Sequence, residues 1–530
     1  MTINSTHSDY DICYKRWRMA FDFYRGGRYV LEPDWDASMH HWIVQRNESE
    51  ESVSEDARNA SAYEWVPSSA QSYLWKHPSE RREEYEERHA RAVHYPHFSQ
   101  YVEIFVSGIF KSGQSRENVT APFADYVADV DLIGNNIDIF MRHMLAYGIV
   151  FGRCHAITDM PSYDGSLMSL ADQRNRGIRA YSKIITPLSL IDWDCDEYNN
   201  FNWVKIKEPA PQPRSYSDNQ PDIKYQYRVL TKDSWHVYEA DERGNAYLAD
   251  EGVYPESLRG TVPIATIWTA KERAMACESP IASIIDGDRH LFNQMSEADT
   301  IRRLNGFSML CVPNLEGMPV GPIDIGPGRA LSYPAQAGSP QWLGSDPNIL
   351  SVIFDGIDKE SHSLRVLAGV SRGAAEGSKE LRSAAALSEE AENRRNQMAV
   401  WSASAQDCER KLLEHVAGWE GYSRDRIPSV SYQMNFNQRA VSIQINDLNQ
   451  LNSTMAINDE VRKEIAKPIV YRVLKENGVD ESEILRILKL MDRVEAPAVV
   501  PGVAGDSEQT DEQPTNRDSK KTKYIVNIKQ

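Results

Sequence analysis

The sequence predicts an α+β protein: a helical hairpin, tipped by a Gly/Pro-rich insertion, springs from a mixed body and is followed by one very long helix. Three observations predict it. Ile281, Ile284, Ile285, Leu291, Phe292, Met295, Ala298, Ile301 and Leu304 hold the i, i+3, i+4, i+7 spacing of a helix with one packed face. Residues 304–347 then contain seven Gly and seven Pro, against 29 and 26 in all 530 residues. That density excludes a long helix and favours turns between short strands. From Lys379 to about Gly418 the pattern stays helical for roughly ten turns, well past the usual three or four.

Taken in order, residues 1–95 are rich in Trp, Tyr, Glu and Arg and show little hydrophobic periodicity, with Ser79 placed to cap a charged helix over 80–93. Phe98–Phe110 is an apolar helix ending near Gly113. A single helix is expected over 121–147, with Leu132, Ile133, Ile137, Phe140, Met141, Met144 and Leu145 in one stripe and Gly148 as the residue that ends it. Ile149–Phe151 and His155–Ile157 then read as a strand or hairpin edge, closed by Asp159-Met160-Pro161. Further strands are expected at 180–193, 202–207, 224–231, 234–239 and 262–269, with Gln212–Pro221 a surface loop.

The first strut spans 280–304, with Ser279 as cap and Pro280 in the first turn. Ser308–Val312 and Ala330–Tyr333 are strands in the insertion. The second strut opens at Asp346-Pro347 and places Ile349, Val352, Ile353, Ile357, Leu364 and Leu367 on one face. Small residues break the pattern over Gly369–Ser378. The long helix has an Ala-rich side with Leu381, Leu387, Ala391, Met398, Trp401, Leu412, Leu413 and Val416. Strands at 429–436 and 440–446 and helices at 458–477 and 480–492 complete the folded part, and 496–530 has too little apolar content to fold.

Composition narrows the function. With 41% apolar and 26% charged residues the chain is ordinary for a globular protein. A net charge of −18 excludes non-specific adhesion to nucleic acid, so DNA would be met at a local patch. The six cysteines (Cys13, Cys154, Cys195, Cys277, Cys311, Cys408) are scattered, which predicts reduced thiols. Met1–Arg18 is polar, and no apolar run approaches the ~20 residues a bilayer needs. A soluble protein of the cell interior is expected.

No string in the chain is a convincing catalytic or metal motif. Gly369-Val370-Ser371-Arg372-Gly373 is formally G-x-S-x-G, but a nucleophile elbow needs a preceding strand, and here a helix precedes it. A hydrolase using Ser371 is therefore the remote alternative, and a flexible interhelical loop the preferred reading. Gly373–Lys379 lacks phosphate-loop spacing. His40-His41 is a surface pair, and Asp192–Asp196 a strand-end turn rather than a cation site. No cofactor is implied and no enzymatic activity is expected. Basic residues on the hairpin and loop (Arg289, His290, Arg302, Arg303, Lys359, Arg365, Arg372, Lys379, Arg382) suit solvated ion pairs, or a sparse positive ring touching DNA phosphates.

Several stretches, in order, resemble bacteriophage portal proteins of the siphophage type. They are Tyr85–Arg88, His94-Tyr95, Val106–Phe110 (VSGIF), Gly148–Pro161 (GIVFGRCHAITDMP), Tyr181–Trp193 closing on I-D-W, Ser279–Phe307, and Leu364–Gly373 (LRVLAGVSRG). The resemblance covers roughly 70–420. It implies a portal fold: a wing from 1–278, stem helices 279–304 and 347–368, and a clip at 305–346. A channel loop at 369–379, a long helix with the rest of the wing at 380–456, and a crown at 457–495 complete it. It further implies a dodecameric ring at one capsid vertex of the virion, assembled in the host cytoplasm, through which double-stranded DNA is packaged and ejected. The implied partners are the large terminase, a head–tail adaptor, the major capsid protein and scaffold, with no membrane. Ser371, Arg372, Gly373, Lys379 and Arg382 would line the DNA channel, and Arg302, Arg303, Lys359 and Arg365 would be the basic residues of the stem. A ring-shaped head–tail connector or tail structural protein is the alternative.

Overall fold

The aromatic N-terminal segment folds into a helix, α1 (Ser8–Arg25), with one further turn, α2 (Arg28–Leu31). The buried face of α1 is Tyr10, Cys13, Tyr14, Trp17 and Phe23, together with an internal Arg18–Asp22 ion pair at 3.1 Å. Met19 and Ala20 are buried with them, and apolar and polar residues fall on separate sides of the helix, so the little periodicity read over 1–95 as a whole is corrected here. The structure, a computed structural model, describes residues 3–31, 72–111, 113–161, 177–210, 225–240, 246–305, 309–314, 330–334, 341–343, 347–369, 384–434, 436, 464, 467, 470–471 and 481–493. The chain divides into two units, Met1–Asn437 and Gln438–Gln530.

Helix α3 (Arg82–Arg91) starts later than its sequence suggests. Ser79 does not cap it; the Glu84 carboxylate accepts from the Arg81 N–H at 3.0 Å and closes the first turn instead. Next come α4 (His97–Phe110) and the short strand β1 (Ser115–Glu117).

The single helix expected over 121–147 is two, α5 (Ala121–Ala128) and α6 (Ile137–Phe151). Asp129 and Asp131 hold the intervening turn by accepting from the N–H groups of Gly134 (2.9 Å) and Ile133 (3.2 Å). Leu132 and Ile133 are thereby 39% and 80% exposed instead of joining the core stripe. Gly148 is also a correction: it lies inside α6, where a Cβ would stand 3.0 Å from Ile267 Cγ2. Gly152, at φ +86°, ends the helix, so 149–151 is its last turn and not a strand.

Eight strands follow: β2 (Arg153–Asp159), β3 (Tyr181–Ile185), β4 (Leu190–Cys195), β5 (Phe201–Pro209), β6 (Tyr225–Thr231), β7 (Ser234–Ala240), β8 (Ala246–Val253) and β9 (Ile264–Trp268). They form an antiparallel sheet ordered β3-β2-β9 and a meander ordered β4-β5-β6-β7-β8. The stretch 180–193 turns at 186–189 and serves both sheets. Strand β2 is buried along nearly its whole length, and burial fades along the meander until β8 is exposed everywhere but at Gly252.

The first hairpin helix is α7 (Ala282–Asn305). Within the insertion, β10 (Met309–Asn314) pairs parallel with β11 (Ala330–Pro334) and antiparallel with β12 (Gln341–Leu343). The chain returns as α8 (Pro347–Leu367) and, beyond Gly369 at φ +64°, continues as the 37-residue α9 (Ala384–Glu420). Trp401 Nε1 of α9 donates to Thr269 O at 2.9 Å, and Trp419 Nε1 to Thr158 O at 2.9 Å, fastening it to the ends of β9 and β2. Strand β13 (Ser429–Ser431) pairs antiparallel with β1. In the second unit, the described residues are Glu464, Lys467, Val470 and Tyr471, each helical, and α10 (Glu481–Arg493). The expected loop 212–221, strand 440–446, tail 496–530 and most of the expected helix 458–477 lie outside the described residues.

Candidate functional site

The helical hairpin is the feature from which a function can be argued, and its root is the best-built part of the molecule. Trp17 Nε1 donates to Cys277 O at 2.7 Å just before α7 begins. Ser279 Oγ donates to Ile149 O (2.7 Å) and accepts from Ile281 N–H (3.3 Å), so the expected cap also ties α7 to the end of α6. Arg16 adds a bidentate pair to Asp286 at 2.7 and 3.2 Å on the surface.

Two polar side chains on the packed side of α7, Asp288 and Asn293, satisfy backbone that no secondary structure could, and a third, Ser296, meets a buried side chain. Asp288, 1% exposed, accepts from the Phe98 N–H at 2.9 Å. It thus caps α4 from another helix, a role that Pro96 at the head of α4 has no side-chain acceptor to fill. Its other oxygen lies 3.5 Å from His94 Nε2. Because the Gly27 N–H donates to His94 Nδ1 at 3.3 Å, the neutral ring carries its proton on Nε2, towards Asp288. Asn293 accepts from Trp75 N–H (2.6 Å) and donates to Tyr73 O (3.1 Å). Ser296 accepts from Arg88, which also grips Glu80 through two 2.7 Å bonds. Unpaired, these buried backbone groups would each cost about 1–3 kcal/mol.

The two struts are antiparallel, since Gly287 faces Leu364 while His290 lies 3.5 Å from Glu360. Gly287 permits a close approach: a Cβ there would sit 2.2 Å from Leu364 Cδ2, which would have to shift. Among the described side chains of α8, Ile357 and Leu364 are the buried apolar ones. Val352 and Leu367, expected on the same face, are 70% and 63% exposed. At the far end, Arg394 of α9 donates to Gly369 O at 3.1 Å and marks where the chain leaves α8.

The basic residues of the hairpin do not converge. Arg302 pairs with Asp299 (2.6 Å) and Arg303 with Glu87 (3.3 Å), all exposed. Arg365 donates to Ser361 Oγ at 3.4 Å and hydrogen-bonds Tyr101, while Lys359 is exposed. Arg289 stacks over Tyr73 and Trp75 at 5.8 and 5.3 Å. Ser371, Arg372, Gly373, Lys379 and Arg382 lie outside the described residues, as do His40 and His41. Helix α8 runs directly into the turn at Gly369, so no strand leads to Ser371 as a nucleophile elbow requires. Asp192 pairs with Lys205 (2.8 Å), and Asp196 accepts from the N–H groups of Tyr198 (2.9 Å) and Asn200 (2.8 Å), the strand-end turn that was expected. Among the described residues no group of His, Cys, Asp or Glu is placed to hold a metal, and no helix is long and apolar enough to cross a membrane.

Sequence reasoning missed a second polar core beside this root. Arg153 is fully buried between the rings of Trp17 and Trp193, at 5.0 and 5.3 Å, and donates to Met275 O at 2.8 Å. Burial brings its guanidinium down to about 10, and burial together with Arg153 holds His155 well below the usual histidine range. An isolated Arg in a strand carries no signal of such a cage.

No protein-family model matches the sequence, and no curated protein matches it. Among solved structures, the fold overlaps a chain in the neck of an empty gene transfer agent particle computed with C6 symmetry. That overlap has a TM-score of 0.35 and 8% identity over 70% of this chain and 90% of that one. A chain of the virion of the native gene transfer agent particle overlaps with a TM-score of 0.32 and 10% identity, over 70% of this chain and 89% of that one. The overlaps are long but loose, and no residue's role follows from them.

Proposed function

We propose that the chain is the subunit of a dodecameric portal ring at one vertex of a tailed-phage head, a structural channel for genome packaging and ejection. The observation that carries this reading is the hairpin: two antiparallel helices, 24 and 21 residues long, rooted in buried polar contacts, with a small sheet between them and a 37-residue helix after them. A rigid strut that ends in an insertion fits a part that presents its tip to other proteins. In this reading the insertion 305–346 meets the large terminase and then the head–tail adaptor, and the body meets capsid and scaffold. Ser371, Arg372, Gly373, Lys379 and Arg382 face the DNA, while the pairing of Arg302 and Arg303 within the subunit assigns these two to holding the stem.

The net charge of −18 fits a channel wall that repels DNA enough to keep it sliding. A ring whose channel wall is mainly positive would refute that part of the proposal. Native mass spectrometry with negative-stain class averages of the purified protein tests the whole. A hollow ring of about a dozen subunits is expected, and a monomer or dimer at every concentration would overturn it.

A further inference from the structure

Helix α8 carries a glycine that its own chain does not explain. Gly356 sits in the middle of the helix, and a Cβ added there would meet nothing within 4 Å. Glycine in an exposed helix interior costs about 1 kcal/mol relative to alanine. Gly287 across the hairpin has Leu364 as its reason; Gly356 has none within the subunit.

Exposed residues of α8 lie on both flanks of the face that packs on α7, and Asp355 lies opposite that face. At 100° per residue, Phe354 and Asp358 lie on one flank, and Val352, Gly356 and Lys359 on the other. Phe354 is 44% exposed and Val352 is 70% exposed. Among the described residues neither the Asp358 carboxylate nor the Lys359 ammonium has a partner. At the height of Gly356 one flank offers an aromatic knob and an anion and the other a gap beside an aliphatic side chain and a cation, with exposed Asp355 one turn before Lys359 and exposed Arg365 two turns beyond Asp358.

We propose that α8 is a seam between neighbouring copies of this chain, in which Phe354 of one copy enters the gap over Gly356 of the next and Asp358 pairs with the neighbour's Lys359. This inference rests on the ring reading. A rotation about an axis along α8 puts equal residue numbers at equal heights. Asp358 and Lys359 are then offset by only about 1.5 Å along the helix, and Phe354 and Gly356 by about 3 Å. The contact joins unlike flanks, so it propagates around a ring and does not close as a two-fold dimer.

Three variants test the seam. Co-expressed Asp358→Cys and Lys359→Cys proteins, oxidised, should give covalent dimers, and either protein alone should give none. Asp358→Lys should lower the ring fraction by about 2- to 5-fold per interface, the range expected of an exposed ion pair, with recovery in Asp358→Lys/Lys359→Asp. Gly356→Ala should raise the melting temperature of the dissociated subunit while lowering the ring fraction, opposite signs that a purely intrachain role cannot produce. Rings that form normally in Gly356→Ala and give no cross-link would overturn the seam and leave the ring reading standing. Absence of rings from the unmodified protein would remove both.

Discussion

The two helices of the hairpin are close in length and pack on each other, yet they are built on opposite principles. Helix α7 spends its packed side on its own chain, placing Asp288, Asn293 and Ser296 where the N-terminus of α4, the irregular segment around Trp75 and the Arg88 side chain need partners. Among its described side chains, helix α8 buries Ile357 and Leu364 and leaves Val352, Phe354 and Leu367 in the open. A helix that satisfies buried backbone groups is part of the fold. One that leaves apolar residues and an unexplained glycine outside is made for a surface the single chain does not contain.

The sharpest way to break this contrast is to remove one aspartate from each helix. Asp288→Ala strips the Phe98 N–H of its acceptor and His94 of its neighbour in a site closed to water. About 1–3 kcal/mol should be lost, read as a lower midpoint in urea unfolding of the subunit. Asp358→Ala should change the same midpoint by no more than about 0.5 kcal/mol. Equal losses would show that the helices do not differ as described.

A pH series sharpens it further. Asp22 stands behind Tyr73, whose hydroxyl donates to it at 3.1 Å, and so supports the α7 socket. Burial raises its carboxyl from 3.8 to about 6 despite Arg18. The folded state therefore holds this proton more tightly than the unfolded chain does. Its contribution to stability is present below about pH 4 and is lost as pH rises to about 6, an effect of order 3 kcal/mol. The stability of Asp22→Asn relative to the unmodified protein should thus climb between pH 4 and 6 and level off above. A difference that is flat, or falls with pH, would contradict the assignment.

The glycines give a smaller, signed test. Gly287→Ala pushes a methyl into Leu364 and should cost about 1–3 kcal/mol, whereas Gly356→Ala should add up to about 1 kcal/mol to the subunit through helix propensity. Thermal melts of the two variants should move in opposite directions. The smallest effect is expected at Arg303→Ala, where an exposed pair with Glu87 is lost: within about 1 kcal/mol at low salt, and less at high salt.

Much of this architecture was legible in the residues. The stripe from Ile281 to Ala298 is buried except at Met295, which is half-buried, and the Gly/Pro-dense insertion does break into short strands. Errors arose where a local signal was true but its context was missing. Leu132 and Ile133 continue an apolar stripe in sequence, but Asp129 and Asp131 capture the backbone N–H groups and turn both side chains outwards. Gly148 has the look of a helix end, but is small because β9 passes close by; Gly152, four residues on, takes the left-handed turn.

The order of struts, insertion and long helix follows from the residues alone, because periodicity and Gly/Pro density are local properties that need no neighbour to be read. Which polar residues are working parts depends on contacts between distant segments. Asp288 and Asn293 differ from surface residues solely in what lies opposite them, and their partners Phe98 and Trp75 are 190 and 218 residues away in the chain. The same holds for the two glycines of the hairpin. One is filled by Leu364 and the other faces open space, a distinction that exists only once two helices are laid side by side.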